Sequence, residues 1–477
     1  MASLLQGGCA LGVHGHSGMP AVLHGSFLEK LRRSGITNCL VSNSCMVSYE
    51  EYNYTQVLDH FGYRPESYQT FPQRYFIDKS SWGGAQNNSP IFVWLGAEID
   101  ITYTLDVGIM IDQAPNFKAL VVYIEHRYYG TAMPFGGEKG AYANASTMGY
   151  FTSTQALADY ATLIVDLKKT LKAEDCPVVV FGGSYGGMLA AWFRLKYPHL
   201  TIGALASSAP LLYLDGITPT YGYGRVVTED FGNVSEICYR RINESWDMID
   251  KIASSRQGLL NLSKLFNTCK HVSRKSDLQY ALESMYIYAA QYHFEDVQGI
   301  CKAINSLPGN ESTVRRIASA TNYTSKGQCL DLNPIDIPGW EWQTCTEMVI
   351  RRSNPPGKTM FPPSHFDIKA YAKYCYLKYG VLTRQHWATT EFGGHDIKRV
   401  LKDFGSNIIF SNGLRDPWSS GGVLGNISES IVAIITNEGT HCQDIAKPGA
   451  SDDPTWLKEQ RRKERMFIQK WITDYKS

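Results

Sequence analysis

One short stretch of the chain joins a buried strand, a glycine-rich turn and a helix in direct succession. Residues 178–181 are Val-Val-Val-Phe, and Gly-Gly-Ser-Tyr-Gly-Gly follows at 182–187 with helical spacing beyond it. Four consecutive apolar residues predict a strand that is buried on both faces. The turn contains Gly-x-Ser-x-Gly, the pattern that holds a serine on a sharp elbow. We therefore predict a parallel sheet with Ser184 at the end of one strand.

Strand and helix patterns alternate on both sides of this turn. Short apolar runs predict further strands at residues 90–96, 119–125, 202–206, 407–410 and 431–435. Apolar residues at helical spacing predict helices over 153–172 and 455–475. Between about 213 and 395 the alternation gives way to a helical, cysteine-rich segment. The predicted fold class is α/β, an α/β-hydrolase fold with an inserted, disulfide-stapled helical cap domain.

These patterns predict four segments along the chain. Residues 1–48 are an atypical N-terminal segment, interpreted as disordered or as a misassigned start, because no secretory signal is readable there. Residues 49–211 and 396–477 are expected to form the first and second parts of the α/β-hydrolase domain. Residues 212–395 are expected to form the helical cap domain.

The balance of charges indicates neither a nucleic-acid nor a membrane partner. The chain has 46 Lys and Arg against 45 Asp and Glu, a formal net charge of +1, so no anionic polymer or surface is an expected partner. No apolar run approaches the roughly 18 residues that span a bilayer, so no membrane insertion is expected. The cysteines lack the Cys-x-x-Cys spacing of zinc sites, and we expect neither a metal nor a cofactor.

Two features indicate the secretory pathway. Glycosylation acceptors of the form Asn-x-Ser/Thr occur at Asn53, Asn87, Asn144, Asn233, Asn243, Asn261, Asn310, Asn322 and Asn426. Six of the eleven cysteines lie in the segment that is rich in these acceptors: Cys238, Cys269, Cys301, Cys329, Cys345 and Cys375. Disulfides persist in oxidising compartments. We expect a glycoprotein that is secreted or located in a lysosome or vacuole.

A serine nucleophile requires a histidine base that a carboxylate orients. In this fold the chain order is serine, acid, histidine. Asp416 follows a predicted strand, and His441 is the only histidine after it. Asp403 is the weaker alternative acid, whereas Asp444 lies too close behind His441 and could only steady its loop. The remaining candidate histidines are interpreted as structural: His199, His271, His293, His365, His386 and His395.

When a serine attacks a carbonyl carbon, negative charge develops on the carbonyl oxygen. This oxyanion needs preorganised N–H donors. Fold logic assigns them to the backbone of Tyr185, directly after the nucleophile, and of Ala97, in the loop after the predicted strand at 90–96.

Several longer stretches occur in the order typical of one peptidase family. They are residues 58–61, 71–75, 125–130, 134–136, 155–159, 182–188, 340–347 and 412–418. On these stretches the chain resembles the prolyl-specific serine peptidase family of lysosomal Pro-X carboxypeptidase, dipeptidyl peptidase II and thymus-specific serine protease. The resemblance extends from about residue 50 to 475 and is strongest to the plant-type Pro-X carboxypeptidase-like branch.

The resemblance implies the triad Ser184, Asp416 and His441. It also implies the disulfide pairs Cys238–Cys301, Cys269–Cys329 and Cys345–Cys375. For the substrate it implies a proline pocket and neighbouring binding residues: Met188, Trp418, Ile350, Glu98 and Trp340. An apolar wall suits the rigid pyrrolidine ring. Cys442 and Ala446 stand where relatives carry histidine and arginine, which weakens a strict carboxypeptidase assignment.

The expected function is a serine exopeptidase that hydrolyses peptide bonds after proline, as a Pro-X carboxypeptidase. Three alternatives stay open: a dipeptidyl peptidase of the same family, an esterase or acyltransferase, and a non-catalytic binding glycoprotein. The expected partner is a proline-containing peptide substrate, and a homodimer is possible. We also expect the activity to fall toward low pH, because the histidine base must be neutral to accept a proton.

Overall fold

One mixed sheet of eight strands organises the described part of the chain. The computed structural model describes residues 49–105, 108–333, 337–446 and 453–477. The strands are β1 Glu50–Val57, β2 Thr70–Asp78, β3 Ile91–Leu95, β4 Leu120–Ile124, β5 Val178–Gly183, β6 Gly203–Ser207, β7 Ile408–Gly413 and β8 Ile431–Thr436. Their order is β1-β2-β4-β3-β5-β6-β7-β8. The β1–β2 and β2–β4 pairs are antiparallel, and all others are parallel. The predicted segment 1–48, with Cys9, Cys39 and Cys45, lies outside the described residues.

Sixteen helices of the described ranges surround the sheet or extend from it. They are α1 Gly108–Phe117, α2 Glu138–Ala141, α3 Ala145–Met148, α4 Ser153–Leu171, α5 Tyr185–Lys196, α6 Gly222–Val234, α7 Glu236–Ile252, α8 Arg256–Leu265, α9 Lys275–Tyr292, α10 Phe294–Ser306, α11 Thr313–Ser325, α12 Trp340–Thr346, α13 Ile368–Tyr379, α14 Trp387–Glu391, α15 Ile397–Phe404 and α16 Thr455–Lys476. None of them is both long and apolar enough to cross a membrane.

The continuous apolar runs are explained by burial on both faces of the sheet. In β5, Val178 and Val180 belong to the apolar cluster that contains residues of α4 and α5. Val179 and Phe181 belong to the opposite cluster, with residues of α1 and α16. Successive strand residues point to opposite faces, so a strand between two helical layers must be apolar at every position.

The sequence patterns do not predict β1 and β2, because these two strands lack a continuous apolar run. β1 is the edge strand, and its polar and aromatic residues alternate between exposed and half-buried positions. β2 contains Pro72 and the charged Arg74. Its pairing with β4 covers only residues 75–78, so Pro72 lies where β2 has a single neighbour. Proline is tolerated in such half-paired positions because no second ladder needs its missing N–H.

The chain between β6 and β7 forms a helical cap that contains α6 to α15. Disulfides join Cys238 to Cys301, Cys269 to Cys329, and Cys345 to Cys375, as the resemblance implied. They close sequence separations of 63, 60 and 30 residues, and such cross-links stabilise the fold by restricting the unfolded chain. The predicted fold class, an α/β-hydrolase with an inserted, disulfide-stapled helical cap, is confirmed.

Candidate active site

Ser184 lies at the junction of β5 and α5 in a conformation that few side chains adopt. Its φ of 57° and ψ of −123° place it outside the usual regions for a non-glycine residue, which costs about 1–3 kcal/mol. Its N–H donates to the carbonyl of Ser207 on the neighbouring β6 (2.9 Å). Its hydroxyl does not cap α5, although serine at a helix start commonly does so.

The glycines of the elbow are required by close backbone contacts. A Cβ at Gly182 would lie 2.0 Å from the carbonyl oxygen of Gly186, and one at Gly187 would lie 2.7 Å from that of Ser207. Because both contacts are with backbone, no side-chain adjustment could relieve them. The tight turn thus depends on these positions lacking side chains.

Asp416 and His441 form a buried hydrogen bond at the same edge of the sheet. His441 Nδ1 lies 2.7 Å from Asp416 Oδ2, and neither side chain is more than 3 % exposed. The other carboxylate oxygen accepts from the N–H of Trp418 (2.9 Å), which fixes the acid after β7. The alternative acid Asp403 lies on α15 and pairs with Arg399 at the surface. Asp416 is therefore the carboxylate that orients this imidazole.

The cap contributes directly to the position of His441. The N–H of His441 donates to the carbonyl of Gln291 near the end of α9 (2.8 Å). The ring of Tyr292 meets the imidazole edge to face, with 5.5 Å between the centroids. Burial lowers the pKa of His441, but the neighbouring Asp416 carboxylate and Cys442 side chain outweigh it and raise that pKa well above its ordinary value.

The loops of Ser184 and His441 meet at the carbonyl of Ser207. Ser184 donates its N–H to this oxygen, and Cys442 Sγ lies 4.0 Å from it. A Cβ built at Gly183 would lie only 3.0 Å from Cys442 Sγ. The structure thus brings the serine and the histidine–aspartate pair, more than 200 residues apart in sequence, to the carboxyl ends of β5, β7 and β8 on one side of the parallel part of the sheet.

The predicted oxyanion donors lie on adjacent segments. Tyr185 is the first residue of α5, where backbone N–H groups lack partners within the helix. A Cβ at Gly186 would lie 3.4 Å from the Cβ of Ala97, so the start of α5 packs against the loop after β3. Glu98 is buried beside them, its Oε2 has no hydrogen-bond partner among the described residues, and burial raises its pKa to about 7.

Two aromatic rings flank Trp418, one of the predicted substrate residues. Trp418 is 1 % exposed and makes T-shaped contacts with Tyr213 and Tyr223, with ring centroids 5.3 and 4.8 Å apart. Met188 and Ile350 are buried in the same apolar cluster. Tyr213 and Tyr223 were missed by the sequence analysis because no motif or spacing distinguishes them from other aromatic residues of the cap.

Trp340 belongs to a second aromatic contact, next to the elbow. Its ring lies 5.4 Å from the ring of Tyr185, and the Tyr185 hydroxyl accepts from Gln343 Nε2 (2.9 Å). Gln343 also donates to Glu347 (3.0 Å), whose burial raises its pKa to about 7. The stretch at 340–347 carries part of the family resemblance, but the sequence assigns no role to Gln343 or Glu347. In the structure Gln343, held by Glu347, supports Tyr185 from the cap.

The described residues contain no group of three or more His, Cys, Asp or Glu side chains placed to hold a metal ion. A hydroxyl on a strained elbow, a buried imidazole and an orienting carboxylate are the parts of a nucleophilic serine site.

Comparison with known proteins gives consistent matches over nearly the whole chain. The family model described as serine carboxypeptidase S28 matches residues 56–333 and 308–464. Lysosomal Pro-X carboxypeptidase of Mus musculus is 35% identical over 456 residues, 90% of this chain and 90% of that protein. The Homo sapiens protein of the same name is 33% identical over 455 residues, 90% and 89% of the two chains. Thymus-specific serine protease of Mus musculus is 26% identical over 450 residues, 86% and 85%.

Proposed function

Because this chain belongs to the serine carboxypeptidase S28 family and is a serine-type peptidase, we propose that it removes the residue that follows proline at the carboxyl end of peptides. The proposed triad is Ser184, Asp416 and His441. The observation that carries it is the 2.7 Å bond between His441 and Asp416 at the sheet edge where Ser184 occupies a strained elbow.

The proposed reaction proceeds through an acyl-enzyme. His441 Nε2 takes the proton of the Ser184 hydroxyl as its oxygen attacks the carbonyl carbon of proline. The N–H groups of Tyr185 and Ala97 stabilise the oxyanion of the tetrahedral intermediate. His441 then gives the proton to the leaving amine, and the C–N bond breaks. Water, deprotonated by His441, hydrolyses the ester and frees Ser184.

Specificity for proline is proposed from the aromatic cluster around Trp418 and from relatives whose names refer to Pro-X peptides. Trp418, with the rings of Tyr213 and Tyr223 at its edges, offers a rigid apolar surface. Met188 lies one helical turn after the elbow, with its N–H donating to the carbonyl of Ser184 (3.0 Å). A pyrrolidine ring loses little conformational freedom against such a wall, so the burial of its apolar area is retained as affinity.

Three substrates separate this proposal from its alternatives. We expect the purified full-length chain to cleave an N-blocked peptide that ends in Pro-X. Cleavage of a free-amino X-Pro amide instead would identify a dipeptidyl peptidase, and turnover of small esters alone would identify an esterase or acyltransferase.

Ser184→Ala provides the matched test of the nucleophile. We expect kcat to fall by about a thousandfold or more, because the acyl-enzyme cannot form. A fluorophosphonate probe should label the wild type and not the variant. Failure to label the folded wild type would favour a non-catalytic binding glycoprotein over a peptidase.

We also propose that the chain acts in the secretory pathway, after secretion or in a lysosome or vacuole. All nine glycosylation acceptor asparagines are exposed on the folded chain, which is compatible with attached glycans. Three disulfides indicate an oxidising compartment. Loss of mass on treatment with an N-glycosidase tests the modification, and sedimentation of the purified chain tests for a homodimer.

A further inference from the structure

Arg352 lies beside the aromatic cluster of Trp418, Tyr213 and Tyr223 and forms no ion pair with a described residue. Its Cζ lies 4.0 Å from the centroid of the Tyr223 ring, which itself lies 4.8 Å from the Trp418 ring. Within the described ranges the guanidinium donates no hydrogen bond and has no carboxylate within 4.0 Å. Its five N–H groups are therefore available to a ligand.

The preceding arginine shows how different this environment is. Arg351 donates to the carboxylate of Asp215 and to the amide oxygen of Gln385, at 3.1 Å each. The two arginines follow Ile350, which bridges to Leu214 outside any helix. Arg351 is thus turned toward Asp215 and Gln385, whereas Arg352 lies over the ring of Tyr223.

The ring beneath Arg352 also connects to the proposed general base. The hydroxyl of Tyr223 donates to Gln291 Oε1 (2.6 Å), and the carbonyl of Gln291 accepts from the N–H of His441 (2.8 Å). One aromatic residue and one amide residue thus separate the guanidinium from the backbone of His441.

We propose that Arg352 binds the terminal carboxylate of the peptide and so directs this chain to carboxyl ends. The inference rests on the proposed function, whose substrate has its carboxylate on the residue next to proline. A guanidinium presents two parallel N–H groups that match the two oxygens of a carboxylate. Stacking on Tyr223 orients the guanidinium before the substrate arrives, which reduces the entropy lost on binding.

One carboxyl group of the chain itself faces this cation. Glu283 on α9 senses the charge of Arg352, yet burial still raises the pKa of Glu283 to about 7. The two side chains form no ion pair within 4.0 Å. If Arg352 only balanced the charge of Glu283, its loss would affect the cleavage of every substrate equally. If Arg352 binds the terminal carboxylate, its loss affects only substrates that have one. This difference separates the two roles experimentally.

The test compares two substrates that differ only at the carboxyl end. One is an N-blocked Pro-Phe dipeptide with a free carboxylate, and the other is its carboxamide. We expect Arg352→Met to lower kcat/KM for the carboxylate by about tenfold or more, with little change for the carboxamide. Arg352→Lys should retain part of the preference, because an ammonium keeps the charge without the planar fork.

Arg225→Met is the matched control. Arg225 lies on α6, the helix that carries Tyr223, but it is exposed and pairs with Glu229. We expect it to leave both substrates unaffected. The ratio of the two kcat/KM values does not depend on the concentration of active enzyme, so it remains informative for a variant that folds poorly.

An unchanged ratio in Arg352→Met, whether both activities fall together or neither falls, would overturn this role of Arg352. If the wild type cleaves the carboxylate substrate, that result leaves the proposed function standing. If the wild type cleaves neither substrate, the proposed function fails first and this inference fails with it.

Discussion

His441 is held by three residues from two parts of the chain, the loop after β7 and the end of α9. Asp416 bonds to its Nδ1, the carbonyl of Gln291 accepts from its N–H, and the ring of Tyr292 covers one edge. These contacts fix which ring nitrogen faces the serine, because Asp416 requires a proton on Nδ1. The imidazole is therefore oriented before any substrate binds.

The raised pKa of His441 predicts the pH dependence of the reaction. Only the neutral imidazole can accept the Ser184 proton, so kcat/KM should fall as the pH falls through this pKa. Because Asp416 raises the pKa, the midpoint should lie above the ordinary 6.5. A pH profile of kcat/KM measures it, and a rate that stays constant well into the acid range would contradict the prediction.

Asp416→Asn should change both the rate and this midpoint. The amide cannot stabilise the imidazolium or select the correct tautomer, so kcat should fall by about a thousandfold or more. The residual activity should have a lower pH midpoint than the wild type, because the carboxylate that raises the pKa is gone. Asp403→Asn is the control, since Asp403 pairs with Arg399 away from the site and should change neither quantity.

The elbow joins β5, α5 and β6 so closely that side chains would not fit at Gly182 and Gly187. Its contacts with β6 are made through backbone: the N–H of Ser184 donates to Ser207, and Gly187 approaches the same carbonyl. The strand supplies rigidity and the helix start supplies free N–H groups. The strained backbone of Ser184 persists because the two strands beside it, β5 and β6, are fixed in the sheet.

Gly187→Ala tests this packing against a glycine in open space. Its Cβ would lie 2.7 Å from the Ser207 carbonyl and 3.1 Å from the Cβ of Ala209, so we expect a loss of about 1–3 kcal/mol in the free energy of unfolding. Gly232→Ala on α6 meets nothing within 4 Å and should gain about 0.5–1 kcal/mol. Denaturant unfolding of both variants decides, and changes of the same sign would contradict the argument.

At the scale of the whole molecule, two buried carboxyl groups connect the catalytic edge to α16. Asp444, three residues after His441, accepts from the hydroxyl of Ser207 (2.5 Å). Glu464 accepts from the hydroxyl of Ser411 on β7 (2.6 Å). Among the described residues, no donor reaches the second oxygen of either carboxyl group. Burial and the neighbouring Asp444 raise the pKa of Glu464 well above its ordinary 4.5.

This pair predicts how stability depends on pH. A carboxyl group whose pKa is raised by folding stabilises the protein fully below its unfolded pKa of about 4.5, and this contribution is lost as the pH rises through the folded pKa. Glu464→Gln cannot ionise and can donate to Asp444. We expect the melting temperature of the variant to decline less than that of the wild type from about pH 5 to 8. Parallel declines in a pH series of thermal melts would contradict this assignment.

The sequence alone determined the parts of this protein that depend on local pattern. Continuous apolar runs predicted β3 to β8, since strands covered on both faces have no polar positions, and the glycine turn after 178–181 located the elbow. The β1–β2 pair was missed because an edge with one solvated face carries mixed residues and even a proline. Asp416 and His441 were predictable because in this fold the serine, the acid and the histidine follow one another in that order along the chain.

Which distant side chains meet depends on the tertiary structure. Tyr213 and Tyr223 flank Trp418, Gln291 holds the backbone of His441, and Arg352 stacks on Tyr223. The contacts of Trp418 and His441 join the cap to the sheet over separations of about 150 to 205 residues. They depend on how helices pack rather than on the neighbours of each residue in sequence. Local sequence pattern specifies strands and turns. Which residues meet in the site between the cap and the sheet follows from how the two pack together.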